Sequence, residues 1–449
     1  MKLRFIMCFI FPGLLFLLSA CGGNPAASGG ISTPTALATH KPSLTPTPMS
    51  TQSSTATPSL PADCPAPGTA HQALLQSAQV ASSVSQHIIY YSERGGIQVS
   101  ENHAKLMSYD VTTGKASSLI SFSDPATGII SAQLSADNQW LLFVSDLSVQ
   151  GPSSTSSYIL QKLQIVRADG QHLQTLMCNT GQAFGHDAPL LSPDNKYIAF
   201  DIFNENKKYY AIDVLNVTTG EIRELYASAN FHVRSWINTT RLYAIPVQDR
   251  SATAAEGIYL FDMNYSANKY SKYPVAVGSL VNLCDTLEVD SAKNQLFTSS
   301  CGVVNANCRA GIALQGPSTL STQPVTGGKA TSLYTDTSHA ITMFRVIDAR
   351  TYLIYIQNSA GDLSQNGLWK VSAQENHLMR LTKETAPMNC YDAEGYAGSS
   401  PEVFSDGQSY ALRINGTLLL GSLNAGTSTT IHSKAETEDT LQLLGFTTI

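Results

Sequence analysis

The sequence predicts an all-β protein, a seven-bladed β-propeller (within a range of six to eight) of four-stranded antiparallel blades. Three observations predict it: a turn-plus-apolar-run motif that recurs along the chain, glycine hairpin turns inside the repeats, and apolar runs that are hydrophobic on both strand faces. The recurrence is clearest between Leu134-Ser135-Ala136-Asp137-Asn138-Gln139-Trp140-Leu141-Leu142-Phe143 and Leu191-Ser192-Pro193-Asp194-Asn195-Lys196-Tyr197-Ile198-Ala199-Phe200. Weaker copies lie at Asn238–Tyr243, Ala292–Phe297, Asp348–Leu353 and Ser405–Tyr410. With Trp140, Tyr197, Leu242, Leu296, Tyr352 and Ser409 taken as equivalent, the intervals are 57, 45, 54, 56 and 57 residues, which is a repeat architecture.

Each apolar run is followed by a second strand, a turn and a third strand. The turns Asp110-Val111-Thr112-Thr113-Gly114-Lys115 and Asn216-Val217-Thr218-Thr219-Gly220-Glu221 are nearly identical, and related ones stand at Ala168-Asp169-Gly170, Thr326-Gly327-Gly328 and Asn424-Ala425-Gly426. Glycine supplies the positive φ that such turns need. Runs such as Tyr197-Ile198-Ala199-Phe200 and Leu353-Ile354-Tyr355-Ile356 are apolar on both faces, so each sheet must be covered on both sides. Radial stacking does that, and no long amphipathic helix separates the repeats, which favours a propeller over a sandwich or barrel. His87-Ile88-Ile89-Tyr90-Tyr91 is an apolar run without its preceding strand, and Thr440–Thr447 is a strand without a blade. The C-terminal strand is therefore expected to complete the first blade and close the ring, removing exposed sheet edges.

Ahead of the repeats, Lys2 and Arg4 precede an apolar run of 14 residues, Phe5 to Leu18, then Ser19-Ala20-Cys21. This is the pattern of a signal peptide, since the run is shorter than the roughly 20 residues needed to span a bilayer. Leu18-Ser19-Ala20-Cys21-Gly22 resembles the lipobox of bacterial lipoproteins. That resemblance implies cleavage before Cys21, diacylglycerol on its Sγ and an acyl chain on its amine, and several chains make a stable anchor. Residues 22–63 are Gly, Ala, Ser, Thr and Pro with almost no charge, and are expected to form an unstructured spacer. Its 42 residues would reach on the order of 120 Å if extended. The expected division is thus a signal peptide at 1–20, a lipidated Cys21 with linker to 63, a connecting segment at 64–86 with a brief helical stretch at Ala70 to Val84, and the propeller at 87–449.

The full chain carries 27 basic and 33 acidic residues, and loss of Lys2 and Arg4 leaves 25 against 33, a net charge of −8. No basic stripe serves nucleic acid. Charged residues are 13% of the chain, about half the usual share. Six cysteines remain besides Cys8 and Cys21: Cys64, Cys178, Cys284, Cys301, Cys308 and Cys390. An even number outside the cytoplasm points to disulfides, with all fifteen pairings open; the best single pair is Cys301 with Cys308, whose intervening residues can fold back as a hairpin loop. No C-x2-C spacing supports a zinc site, and no metal or other cofactor is expected.

The Ser192–Phe200 segment, and more loosely Ser135–Phe143 and Ser405–Leu412, resembles the WD40-like repeat of TolB-type propellers, found also in the propeller of prolyl-oligopeptidase-type peptidases. Physical roles stand beside the likeness: Asp194 caps its own turn, Pro193 presets φ, and Asn195 tolerates the left-handed region. TolB-type proteins carry an additional α/β domain before the propeller, where this chain has the spacer. The peptidases need a Gly-x-Ser-x-Gly elbow, which is absent; Gly398-Ser399-Ser400-Pro401 fails at its last position.

H-E-x-x-H and phosphate-loop motifs are absent too. Asp201, Glu205, Asn204 and Asn206 lack the EF-hand pattern and are expected to form a solvated hairpin tip. His186, Asp187, His232 and Arg234 precede expected inner strands and are candidates for a ligand face at the propeller mouth. The expected function is a monomeric, non-enzymatic, lipid-anchored module at the cell surface or in the periplasm, presenting its loops to a protein, peptide or envelope polysaccharide. The alternative is a propeller hydrolase or lyase, glycosidase-like, whose acidic residues converge from different blades at the ring centre.

Overall fold

The computed structural model describes residues 63–66, 68–69, 87–93, 104–124, 126–150, 157–180, 184, 188–204, 209–226, 231–246, 256–264, 275–280, 287–290, 293–305, 313–358, 362–372, 377–383, 402–403, 407–414, 416–433 and 441–448. They form seven four-stranded antiparallel sheets. Blades 2 to 7 are each laid down in chain order from inner to outer strand. Their inner strands are Thr127–Leu134, Leu190–Leu191, Phe231–Trp236, Leu287–Asp290, Ile341–Val346 and Glu402–Val403. Blade 1 joins His87–Glu93, Lys105–Asp110 and Lys115–Ser121 to an inner strand, Leu441–Thr448, from the C-terminus. Ile88 pairs with Thr447 and Glu93 with Leu441, so the expected closure by the last strand is observed.

Seven hydrophobic clusters hold the ring, one at each junction between neighbouring blades. Ile198 and Phe200 pack toward blade 2 with Trp140, Leu142 and Leu163, while Ala199 between them packs toward blade 4 with Phe231, Val233 and Phe261. The runs that are apolar on both faces are thus second strands serving two cores at once. The last cluster, Ile89 and Tyr91 with Ala411, Leu418, Leu441 and Leu443, joins blade 7 to blade 1.

The motif residues act locally as expected. Ser135 and Ser192 each bond the strand that follows, their amides donating to the carbonyls of Trp140 and Tyr197 at 2.8 and 2.7 Å. Their hydroxyls donate to Asp137 and Asp194 at 2.6 and 2.7 Å, and Asn138 and Asn195 both take φ 59°. Asn195 Nδ2 also donates to Asp137 Oδ2 of the preceding blade at 2.7 Å, linking two copies of the motif. Two of the weaker copies sit one residue out of the expected alignment. Ile237 and Ile347 bond Arg241 and Thr351, not Leu242 and Tyr352, because their turns are one residue shorter than that between Ser192 and Tyr197.

At the rim, residues 63–66 and 68–69 form a strap along blades 2 and 3. Cys64 is bonded to Cys178 in the outer strand of blade 2, Gln174–Thr180. Lys162 Nζ contacts Asp63 Oδ2 at 2.6 Å, and the Gly68 amide donates to the Gly220 carbonyl in blade 3 at 3.1 Å. Gly220 is required there, since a Cβ would stand 2.0 Å from the Thr69 carbonyl oxygen. Cys301 is also disulfide-bonded, while Cys284, Cys308 and Cys390 lie outside the described residues, as do Cys21, the spacer to residue 62 and the Ala70–Val84 segment. Among the described residues no helix is long and apolar enough to cross a membrane.

Candidate functional site at the long-connection face

The strand order gives the ring two unlike faces. Inner and second strands, and third and outer strands, are mostly joined on one face by tight turns such as Ser135–Gln139, Val111–Gly114 and Val217–Glu221. The opposite face receives the other connections, including those from Glu93 to Lys105, Pro246 to Glu256, Ile356 to Gly367 and Arg380 to Glu402. Longer connections are where propellers assemble ligand contacts from several blades.

Three His–carboxylate pairs stand on this second face. His232, in the inner strand of blade 4, has Nδ1 at 2.9 Å from Oδ2 of Asp201 in the second strand of blade 3. Both are buried, Asp201 to 1% exposure. Tyr210 lies against the imidazole with centroids 5.7 Å apart, and burial, reinforced by the Asp201 charge, pushes its phenol above the usual value. Beneath them Phe231, Tyr226, Tyr259 and Phe261 pack edge to face, fixing the strand that carries His232.

The second pair follows the outer strand of blade 5, Thr331–Asp336, where His339 Nδ1 lies 3.0 Å from Asp336 Oδ1. Burial pulls the Asp336 carboxyl up, but the Ser338 and His339 amides and the His339 ring outweigh it and hold it below the usual range. At the third pair, Glu93 at the end of its strand sits 3.3 Å from His432 Nε2 of blade 7 and 3.9 Å from Lys105 Nζ. The other described histidines, His87, His172 and His377, occupy strand starts or a turn on the opposite face.

Toward the channel, inner strands bridge neighbouring blades by polar side chains. Gln133 Oε1 accepts from the Leu191 amide at 3.3 Å, Gln442 Nε2 donates to the Ala132 carbonyl at 3.3 Å, and Arg345 Nε lies 3.7 Å from Glu288 Oε1. Blade 6 is closed at this face by an amide network. Asn358 Oδ1 accepts from the Ala340 amide, the Asn358 amide donates to Asn366 Oδ1 and Asn366 Nδ2 donates back to the Asn358 carbonyl, each at 2.8 Å. Among the described residues no group of three or more His, Cys, Asp or Glu is placed to hold a metal ion.

Of the candidates from sequence, His232 is on this face and Arg234 lies further along the same inner strand toward the tight-turn face, both within the strand and not ahead of one; His186 and Asp187 lie outside the described residues. Asp201 is corrected: it is a buried strand residue and not part of a solvated tip, because the strand runs on to Asn204 and turns Asp201 into the junction with blade 4. The partner that makes it informative, His232, is 31 positions away and has no spacing signal.

No family model matches the chain, and no curated protein matches it. Solved structures do. An uncharacterised protein of Listeria monocytogenes EGD-e matches with TM-score 0.49 at 12% identity, covering 81% of this chain and 99% of that one. TolB from Acinetobacter baumannii matches with TM-score 0.36 at 14% identity, over 68% of this chain and 65% of that one. The periplasmic gluconolactonase of Pseudomonas aeruginosa matches with TM-score 0.46 at 13% identity, over 80% and 99%. The fold itself rests on the strand order: the chain is a seven-bladed β-propeller. The expectation that it has no enzymatic activity is corrected. The matched structures include enzymes, the gluconolactonase and an oligogalacturonate lyase (TM-score 0.49, 10% identity), and the absence of linear motifs does not by itself exclude activity. A site gathered from several blades leaves no such motif.

Proposed function

We propose that the chain is an extracytoplasmic, lipid-anchored propeller that binds a protein, peptide or envelope polysaccharide through its long-connection face. One observation carries the choice of face: the three His–carboxylate pairs of the described residues all stand there. Polar pairs at or near the surface add little to stability. Seven apolar junctions already hold the ring, so the concentration of these pairs on one face fits use in recognition. The Cys64–Cys178 bond supports an oxidising compartment, and Cys21 behind an apolar leader supports the anchor.

Two measurements test this. Cys21→Ala is expected to release a folded ring from the membrane fraction; retention of that variant in membranes would overturn the anchor. Capture of partners from native membranes is expected to fall when His339 and His432 are replaced by Ala and to persist in His172→Ala on the opposite face; the reverse order would overturn the choice of face.

A further inference from the structure

We propose that the strap is a mechanical shunt: the Cys64–Cys178 bridge passes tension on the N-terminal tether into the outer strand of blade 2 and keeps it off the seam that closes the ring. The inference deepens the anchor reading above and rests on it for the source of the tension.

The seam is vulnerable to such a pull. His87–Glu93, the strand that opens the ring in chain order, is also the one whose pairing with Leu441–Thr448 closes it. Neither strand contains a cysteine, so the two ends of the chain are joined there noncovalently, by the ladder and by the packing of residues such as Ile89 and Tyr91 against Leu441 and Leu443. A pull on the chain just ahead of His87 would fall first on the end pair, His87 with Thr448, and then on each following pair in turn. A single ladder bond is weak in net terms, so a seam loaded one pair at a time opens readily.

The bridge takes the load elsewhere. Cys178 is an interior position of Gln174–Thr180, opposite Lys162, and the ladder continues to both sides of it, from the pair Leu160 and Thr180 to the pair Ile165 and Gln174. Force entering there is shared by pairs on either side and does not peel the strand from an end. Leu176, two residues away, is buried in the junction between blades 2 and 3 with Leu163 and Ile165, which ties the loaded strand to the core. Lys162 also meets Asp63 beside the bridge, and Gly68 bonds Gly220 of blade 3, so the strap touches more than one strand. The four strands of blade 2 follow one another in the chain, and that blade has no seam between chain ends. While Cys64 is held in place, residues 65–86 carry no tension, and force reaches the closing seam only through the packed junctions between blades. At rest the ring closes without the bridge; its effect appears under load.

The test pulls single Cys21→Ala rings in optical tweezers, with one handle on the N-terminus and the other on an azide-bearing residue replacing Ser364. Under this load the Cys64→Ser/Cys178→Ser variant is expected to open about tenfold faster or more than the bridged ring at the same force, forced opening being governed by the unfolding rate. With handles at Lys196 and Ser364, which leave the tether slack, the two proteins should differ by less than about twofold. Full extension from the N-terminus should be shorter by about 400 Å in the bridged ring, because the loop of 114 positions stays closed, and this verifies the bridge in each molecule pulled. A second comparison needs no cysteine change: moving the first handle from the N-terminus to Gln86, past the bridge, should speed opening of the bridged ring to a similar degree. Equal acceleration of the double variant in both geometries, or opening from Gln86 no faster than from the N-terminus, would overturn the shunt. The instrument supplies the force to a ring without lipid, so failure here and failure of the anchor in membrane fractionation are read separately.

Discussion

Removing the strap's covalent tie, with Cys64 and Cys178 both replaced by serine, should cost stability without opening the ring. The bridge joins positions 114 residues apart. In the chain-entropy treatment a loop of that length restricts the unfolded chain by about 4.8 kcal/mol at 25 °C, and measured losses run to a few kcal/mol, so about 3 to 5 is expected. What remains of the strap replaces little of this. The Asp63–Lys162 pair has its carboxylate 54% exposed and is worth less than about 1 kcal/mol, and the Gly68–Gly220 hydrogen bond is a single one. The native fold should persist, because closure depends on Leu441–Thr448 pairing with His87–Glu93 and not on the strap. Urea unfolding under non-reducing conditions, followed by fluorescence, reads this directly, since Trp140, Trp236 and Trp369 sit in blades 2, 4 and 6. The double variant should unfold at lower urea with a slope equal or steeper, the unfolded chain being more expanded. The variant is preferred to a reductant because Cys301 is also bridged. A loss below about 1 kcal/mol would refute the reasoning that this bridge restrains the unfolded chain.

Two further outcomes follow from the geometry. Gly114 and Gly220 occupy the same place in matching turns with φ +67° and +72°, but only at Gly220 would a Cβ meet the strap; Gly114→Ala should cost roughly 1–2 kcal/mol for its left-handed backbone and Gly220→Ala clearly more, with equal losses in thermal unfolding counting against the strap contact. Burial pushes the phenols of Tyr90, Tyr91, Tyr334 and Tyr410 from near 10 to about 12, so the native state keeps protons that the unfolded chain gives up. Stability should therefore be complete below pH 10 and fall as pH rises toward 12, with Tyr90→Phe moving the alkaline midpoint upward; an unshifted midpoint would contradict the burial.

How much was legible in the sequence divides along physical lines. Short-range chemistry was: the Ser-x-Asp-Asn turns and the paired Val-Thr-Thr-Gly turns are written in contiguous residues, and their hydrogen bonds match, with Asp110 and Asn216 accepting from Thr112 and Thr218 at 2.8 and 2.9 Å. Ring closure was legible as well, because an apolar run lacking a partner at one end required a strand at the other. The one-residue slip of two weaker repeats, at Arg241 and Thr351, was not, since alignment by side-chain type cannot see a shortened turn. The pairs Asp201–His232 and Glu93–His432 were out of reach: each joins different blades, and neither spacing repeats. His232 and Arg234 were legible as a pair near an inner strand, but the bulge at Arg234 is a property of the ladder and leaves no trace in residue order. Likewise the cysteines alone left fifteen pairings, and it is the strap's docking on blade 2 that brings Cys64 to Cys178, Cα to Cα 5.6 Å.

The claim that the long-connection face is the working face is tested most directly by site-specific photo-crosslinking in cells that display the tethered protein. A photoreactive residue at Ser364, exposed on that face, is predicted to trap a partner, while one at Lys196, exposed in a tight turn on the other, is predicted to trap none. A partner trapped from Lys196 and not from Ser364 would contradict the account.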